Sequence, residues 1–492
     1  MSNNSSDTIF TISELKNLES NLDQFFLVIC GIFILFMQTG FAFLEAGSVR
    51  SKNTTNIIMK NVLDLFIGAI MYFAVGYSFA YGQPGNRFIG HNYFFATNKD
   101  ENFTYASWFF QYVFAATAST IVSGAMAERT EFTTYMVYCT FLTGFVYPVI
   151  VHWCWTDVGW LQYGTGTGLK YIDYAGSGVV HLTGGTAAFV GAIILGPRIG
   201  RFNNDGTVND LPGHTVTVAA LGGFILFVGF MAFNGGSQLT ISNPGDGAIV
   251  ALSIMNTVLG GASGAIVAML VYKTTDAIRG EDHYWSLLIT INGGLTGMVS
   301  MCAGCNDMLP WAAVVIGTVA GLAFMTWHHI MLKLRIDDPL DAVAVHLGGG
   351  LTGVLLAPIF VVKGLQLAET KEYVGGIIYG KHWLAFQGFG WNLLGAVAII
   401  IWTGVISILL FGSMSLLGVL RVSEEVELKG LDKLKHGEPA YPIESYCDGV
   451  PPWSKDCEKA NGTGLVVMNN QAIENGISEE QEQEEEVART KL

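Results

Sequence analysis

Apolar residues gather into long runs separated by short polar stretches. Within the runs, neither the alternation of a half-buried strand nor the stripe of a water-facing helix holds. Eleven runs reach the ~20 residues an α-helix needs to cross a hydrocarbon core. They cover residues 22–46, 58–82, 104–127, 132–153, 177–197, 214–234, 247–272, 284–303, 310–333, 341–362 and 389–419. The first is longer than the apolar stretch of a secretory leader and lacks a basic approach or small-residue cleavage site, so it reads as a retained span. The pattern predicts an all-α polytopic membrane protein with eleven transmembrane helices. Residues 1–20 read as an extracellular tail, 21–420 as the membrane domain and 421–492 as a cytoplasmic tail, disordered beyond about 443.

The runs carry an internal echo. Val179-Val180-His181-Leu182-Thr183-Gly184-Gly185 resembles Ala344-Val345-His346-Leu347-Gly348-Gly349-Gly350. Phe41-Ala42-Phe43-Leu44-Glu45-Ala46-Gly47 resembles Phe230-Met231-Ala232-Phe233-Asn234-Gly235-Gly236. These pair span 1 with 6 and span 5 with 10. Five spans per half inverts the second half against the first, an architecture that places a transport site at the interface between halves. The eleventh run is extra and is expected to brace the bundle from outside.

Composition narrows the class. Of 492 residues, 51% are hydrophobic and 13% charged, against about 25% charged in soluble domains. Mean hydropathy is +0.43. The 60 glycines against 12 prolines fit close helix packing in a bilayer. A multi-domain soluble enzyme, a fibre and a disordered chain are excluded as descriptions of the whole. The net charge of −15 is concentrated in residues 421–492, which hold 16 Asp/Glu and 8 Lys/Arg. No nucleic-acid partner is expected.

Lys and Arg set the orientation. Ten lie after odd-numbered spans, Lys60 included, against seven on the other side, and the tail adds eight. The N-terminus is therefore placed outside and the C-terminus in the cytoplasm. Asn3, Asn4 and Asn102 become outward glycosylation sequons, while Asn53 and Asn461 face inward. Seven cysteines are scattered, and Cys302-Ala-Gly-Cys305 has no second pair or nearby histidine to complete a metal site; no cofactor or metal is expected.

Ionisable groups inside spans are expensive and functional by default. His181 and His346 hold matching positions in the two halves. Each would serve as a helix–helix hydrogen-bond donor, or the two would face one another and share one hydrogen bond, fixing a tautomer on each; a haem or metal pair lacks a third ligand. Asp173 and Asp341 precede them and are expected to cap their helices, with Asp173 also keeping the outer mouth negative. Glu45 is expected to bond neighbouring backbone. Phe110, Phe114, Trp155, Phe230 and Phe233 are core or lipid-facing residues, or a cage for a small cation. Ser237, four residues past Phe233, offers a hydroxyl acceptor.

These motifs resemble the ammonium transporters of the Amt/Mep/Rh family, over about residues 25–441. They are Gln38-Thr-Gly-Phe-Ala-Phe-Leu-Glu45-Ala-Gly47 with Arg50-Ser-Lys-Asn53, Gly124-Ala-Met-Ala-Glu128-Arg129, and Asp173-Tyr-Ala-Gly-Ser-Gly-Val-Val-His181-Leu-Thr-Gly-Gly185. Phe233-Asn-Gly-Gly-Ser237, Asp337-Asp-Pro339 with His346, and Gly430-Leu-Asp432 with His436-Gly437 follow in order. The resemblance implies a plasma-membrane homotrimer with one pore per subunit and ammonium or ammonia as substrate, methylammonium serving as analogue.

By motif position it implies that Phe114 and Phe233 form a stacked gate. Phe110, Trp155 and Ser237 would form the outer ammonium site, with Trp153 competing for the indole role. His181 and His346 would be the twin histidines, and Asp173 the acid near recruitment. The outer-site residues resemble the Amt branch and the loops its plant-type group. The implied mechanism is deprotonation of NH4+, conduction of NH3 and relay of the proton, net electrogenic. A passive NH3/CO2 channel of Rh type and an ammonium sensor are the alternatives. Plant-type members carry a threonine two residues before the His-Gly of the tail, where phosphorylation closes the trimer; here that residue is Leu434.

Overall fold

A capping box starts the first helix: the Thr11 hydroxyl accepts from Glu14 N, and the Glu14 carboxylate accepts from Thr11 N. Satisfying these terminal N–H groups lets α1 begin at Ile12, well before the apolar run, and continue to Ser48. The computed structural model describes residues 11–100, 103–164, 169–279, 284–366, 372–380 and 383–441. The sequons at Asn3, Asn4, Asn102 and Asn461, Cys447, Cys457 and the acidic end beyond 441 lie outside the described residues.

After α1 come α2 (Ser51–Tyr81), α3 (Tyr105–Ala125), α4 (Phe132–Tyr163, broken after Trp155), α5 (Ser177–Leu195) and α6 (Val216–Gly236). Then follow α7 (Asp246–Arg279), α8 (Leu287–Met301), α9 (Pro310–Lys333), α10 (Val343–Phe360) and α11 (Leu384–Leu416). Among the described residues the fold is helical, with only isolated β-bridges. Each of the eleven predicted runs is helical, yet among the described residues nine of the helices are long and apolar enough to cross a membrane. α8 has 15 residues, roughly 22 Å of helix, short of the ~30 Å hydrocarbon core. α3 has 21 residues but carries Gln111, Thr117, Ser119, Thr120 and Ser123 on its buried surface. It is enclosed by protein, so lipid places no demand on those positions.

α1 runs along α6, and glycine makes the crossing possible. A Cβ on Gly47 would lie 2.3 Å from Ala219 N, and one on Gly222 2.1 Å from Leu44 N. The histidine segments are tied the same way: a Cβ on Gly185 would meet Leu347 N at 2.2 Å, and one on Gly350 would meet Ser177 O at 2.5 Å. Each half thus presses a glycine against the backbone of the other half's histidine segment. α11 packs against α5 and turns Ile401, Ile408 and Leu409 outward, as a bracing helix against lipid should.

At the end of the bundle where α1 and α2 join, buried charges form one network. Glu128 accepts from Arg50 and Arg198, and Arg198 bonds Asp337. Burial opposes the Asp337 charge, but the guanidiniums of Arg129 and Arg198 hold its pKa down to about 2. Residues 421–441 fold back onto this face. Arg421 pairs with Glu427 at 2.8 Å, Lys52 Nζ donates to Leu428 O, and Asp432 caps α2 by accepting from Thr55 N and Asn56 N at 3.0 and 2.9 Å.

Three sequence expectations change. Lys60, counted with the loop cations, lies inside α2 and is 1% exposed, which removes one cation from the side in excess. Glu45 bonds the side chains of Asn61 and Ser123 rather than backbone neighbours, because α2 and α3 pack across it. Asp341 turns aside to His328 Nδ1 at 2.7 Å, and Asp338 accepts from Val343 N at the start of α10 instead.

Candidate functional site

The site begins in a vestibule of about 910 Å³ at the end of the bundle opposite the charge network, lined among others by Phe110, Gln111, Phe114, Trp155, Asp173 and Ser237. Phe110 and Phe114 lie one helical turn apart on α3, so their rings share a face, with centroids 4.9 Å apart. Trp155 ends the continuous part of α4; its ring meets Phe114 edge-on at 6.0 Å, and its Nε1 donates to Asp173 O at 2.7 Å. Trp153, the competing indole, points elsewhere: it donates to Phe88 O and packs on Phe88, Trp160 and Trp402.

Asp173 caps α5 as expected. Its carboxylate accepts from Gly176 N at 3.1 Å and from Gly178 N and Val179 N, both at 2.9 Å. Burial pushes its pKa up to about 6 against the pull of those N–H groups. The Ser237 hydroxyl donates to Phe233 O at 2.8 Å, so it turns its lone pairs, not its proton, to the vestibule. A cation with N–H donors matches that polarity.

Below the vestibule the aromatic path narrows. Phe114 and Phe233 stack with centroids 4.2 Å apart and planes at 29°. Phe233 lies 5.5 Å from the His181 ring, and Phe230 stacks on the same ring at 5.6 Å. His181 Nδ1 is 3.1 Å from His346 Nδ1. Both histidines sit in π-helical turns, Ser177–Leu182 and Val343–Gly348, a local widening that often marks functional positions. Among the described residues the Nε2 of His181 is buried with no partner, leaving it for a guest molecule. All eight predicted site residues thus fall on one line from the vestibule to the histidines.

Two residues on this line were missed. Gln111 lines the vestibule with a buried Oε1 that has no partner among the described residues; no spacing rule marks a glutamine between aromatics. Phe41 lies 6.2 Å from His346, and the echo held its signal, since Phe41 aligns with Phe230. Cys302 and Cys305 are buried free thiols that do not line the vestibule.

This geometry coincides with a family resemblance across the chain. The Ammonium Transporter Family model matches residues 25–441. The chain belongs to the ammonium transporter family. A putative ammonium transporter 1 of Caenorhabditis elegans is 48% identical over 462 residues, covering 91% of this chain and 84% of the relative. Ammonium transporter 1 member 2 of Oryza sativa subsp. japonica is 39% identical, covering 81% of this chain and 82% of the relative. Among solved structures, a Sensor Amt Protein aligns with TM-score 0.77 and 33% identity over 86% of this chain and all of its own. Saccharomyces cerevisiae Mep2 aligns with TM-score 0.71 and 27% identity over 84% of this chain and 90% of its own. This member of the ammonium transporter family is thus a multi-pass membrane protein, and its family implies ammonium or ammonia as substrate.

Proposed function

We propose that this transporter recruits NH4+ from outside the cell, strips its proton and conducts NH3, with the proton relayed separately and net charge transferred. The observation that carries this is the column itself: an aromatic vestibule, the Phe114–Phe233 stack and the His181–His346 pair, with Phe230 and Phe233 packed against the His181 ring. Phe110, Phe114 and Trp155 hold the cation by their ring faces, worth ~0.5–2 kcal/mol when desolvated. Ser237 accepts one of its N–H bonds, and Asp173 keeps the mouth negative. A bare charge then meets a dehydration cost of at least ~2.5–3.5 kcal/mol. Ammonium escapes that cost by losing a proton and potassium cannot.

The reading includes eleven membrane helices in two inverted halves with α11 extra, a homotrimer in the plasma membrane, an outer N-terminus and a cytoplasmic tail from residue 421. Inward current in voltage-clamped cells given ammonium, methylammonium or potassium tests it. Ammonium current without potassium current supports the reading; ammonium uptake without current favours a passive Rh-type channel. An ammonium-sensor role is the second reading, because the 33% identical structural neighbour is itself named a sensor; binding without uptake would favour it.

A further inference from the structure

The path continues past the histidines. On the far side of His346 lies a cavity of about 20 Å³, lined by Phe41, Leu44, Glu45, Asn292, Val345 and His346 among others. That is room for about one water. Glu45 is 2% exposed, and its Oε2 accepts from Asn61 Nδ2 at 2.7 Å and from the Ser123 hydroxyl. The echo between α1 and α6 explains its place. Phe41 aligns with Phe230, Leu44 with Phe233 and Glu45 with Asn234. Phe230 and Phe233 flank His181, while Phe41 flanks His346. One copy of the motif ends on an amide that donates to Thr257. The other ends on a carboxylate beside the cavity under the second histidine.

We infer that Glu45 is the inner proton carrier of the pathway, accepting the proton relayed by the histidines and returning it to ammonia; this rests on the deprotonation reading above. An N–H bond of the His346 imidazolium breaks, and its proton crosses the single water to a Glu45 oxygen. Neutral imidazole and a carboxylic acid result. The O–H bond then breaks toward ammonia entering the cavity, forming ammonium and restoring the carboxylate. One charge moves with each ammonium, and no further reactant is needed.

The groups facing Glu45 are Lys60 and Asp64 on α2, Tyr135 and Tyr138 on α4, and His346 on α10 across the cavity. Lys60 and Asp64 oppose one another in charge. Asp64 is held by Ser119 at 3.0 Å and Tyr135 at 2.7 Å and does not line the cavity. Glu45 is therefore the acid on the path.

Glu45→Gln keeps the size and the hydrogen-bond acceptor but cannot carry the proton. Full-length parent and variant are compared in voltage-clamped cells for inward current and for uptake of isotopic ammonium, normalised to surface abundance. The expected result is at least a ~10-fold fall in charge moved per ammonium. An unchanged ratio overturns the inference, including the case where both signals fall together as for a purely structural residue. If Glu45→Gln does not reach the surface, Glu45→Asp decides: a displaced pH profile of the current supports the inference and the parent's profile overturns it. A parent that takes up ammonium without current fails the underlying reading too, so the two failures are distinguishable.

Discussion

His181 Nδ1 and His346 Nδ1 stand 3.1 Å apart, on rings only 17° from parallel. One ring must donate and the other accept, so the pair carries at most one extra proton without breaking this bond. His181→Ala removes the partner and widens the conduit. Ammonium current should fall by about tenfold or more, and potassium current should appear. Voltage clamp checks both; a variant carrying potassium no better than the parent, with ammonium current intact, would remove the histidines from the mechanism.

The Phe114–Phe233 stack closes the path at 4.2 Å between ring centroids. Phe233 is fully buried, and its truncation leaves a cavity that costs about 3–5 kcal/mol. Phe233→Ala should lower the thermal midpoint in detergent and admit methylammonium faster relative to ammonium. Phe233→Leu keeps most of the volume and separates the two effects. Its stability should lie near the parent's, while its methylammonium-to-ammonium ratio should still rise.

Asp173 gives the vestibule a pH dependence. Its pKa is pushed up to about 6 by burial, so the carboxylate is charged above that pH and neutral below it. Recruitment of a cation should weaken as external pH falls through about 6. Asp173→Asn should remove that dependence and raise the half-saturating ammonium concentration about fivefold, the ~1 kcal/mol one charge supplies at short range in a wet site. Current against ammonium concentration at several external pH values measures both.

The buried charge network makes an acid-stability prediction. Asp337 is held down to about 2 by Arg129 and Arg198 against its burial, below the ~3.9 of a free aspartate. A lowered carboxylate contributes stability above its unfolded value, and that stability is lost as pH falls through the folded one. Thermal midpoints should therefore drop between about pH 4 and pH 2, and Asp337→Asn should flatten the drop. Removing one partner of a buried ion pair costs about 3–5 kcal/mol, so the variant should also be less stable at neutral pH.

The length of the apolar runs made the helices legible, since a bilayer demands long ones and α9 matches its run from 310 to 333 at both ends. Length and apolarity say less about a crossing where protein rather than lipid surrounds the chain. α3 is polar because its neighbours satisfy it, and α8 is short because it is buried. The echo located His181 and His346 because two related glycine turns must press together. It placed Glu45 in sequence without its partners, since Asn61 and Ser123 come from helices that only packing brings near. The Asp338-for-Asp341 exchange was equally hidden: both carboxylates precede α10, and the choice rests on where His328 reaches from α9.

The tail latch turns on Asp432, whose two carboxylate oxygens cap α2 through Thr55 N and Asn56 N. Its neighbour Leu431 N donates to Asn53 Oδ1, and Asn56 Nδ2 meets His436 Nε2 at 2.8 Å. The α-helical part of α2, which starts at Thr54, is therefore capped by a side chain from the tail. Asp432→Ala strips two acceptors from that helix end, a loss of about 1–2 kcal/mol. Limited trypsin digestion reads it directly, because Lys429, Lys433 and Lys435 flank the latch. Cleavage there should quicken about tenfold, the factor that ~1.4 kcal/mol gives when opening precedes cutting. Asp432→Asn keeps one acceptor and should fall between variant and parent. Equal cleavage rates in all three proteins would mean that the latch is held by Arg421 and Glu427 instead.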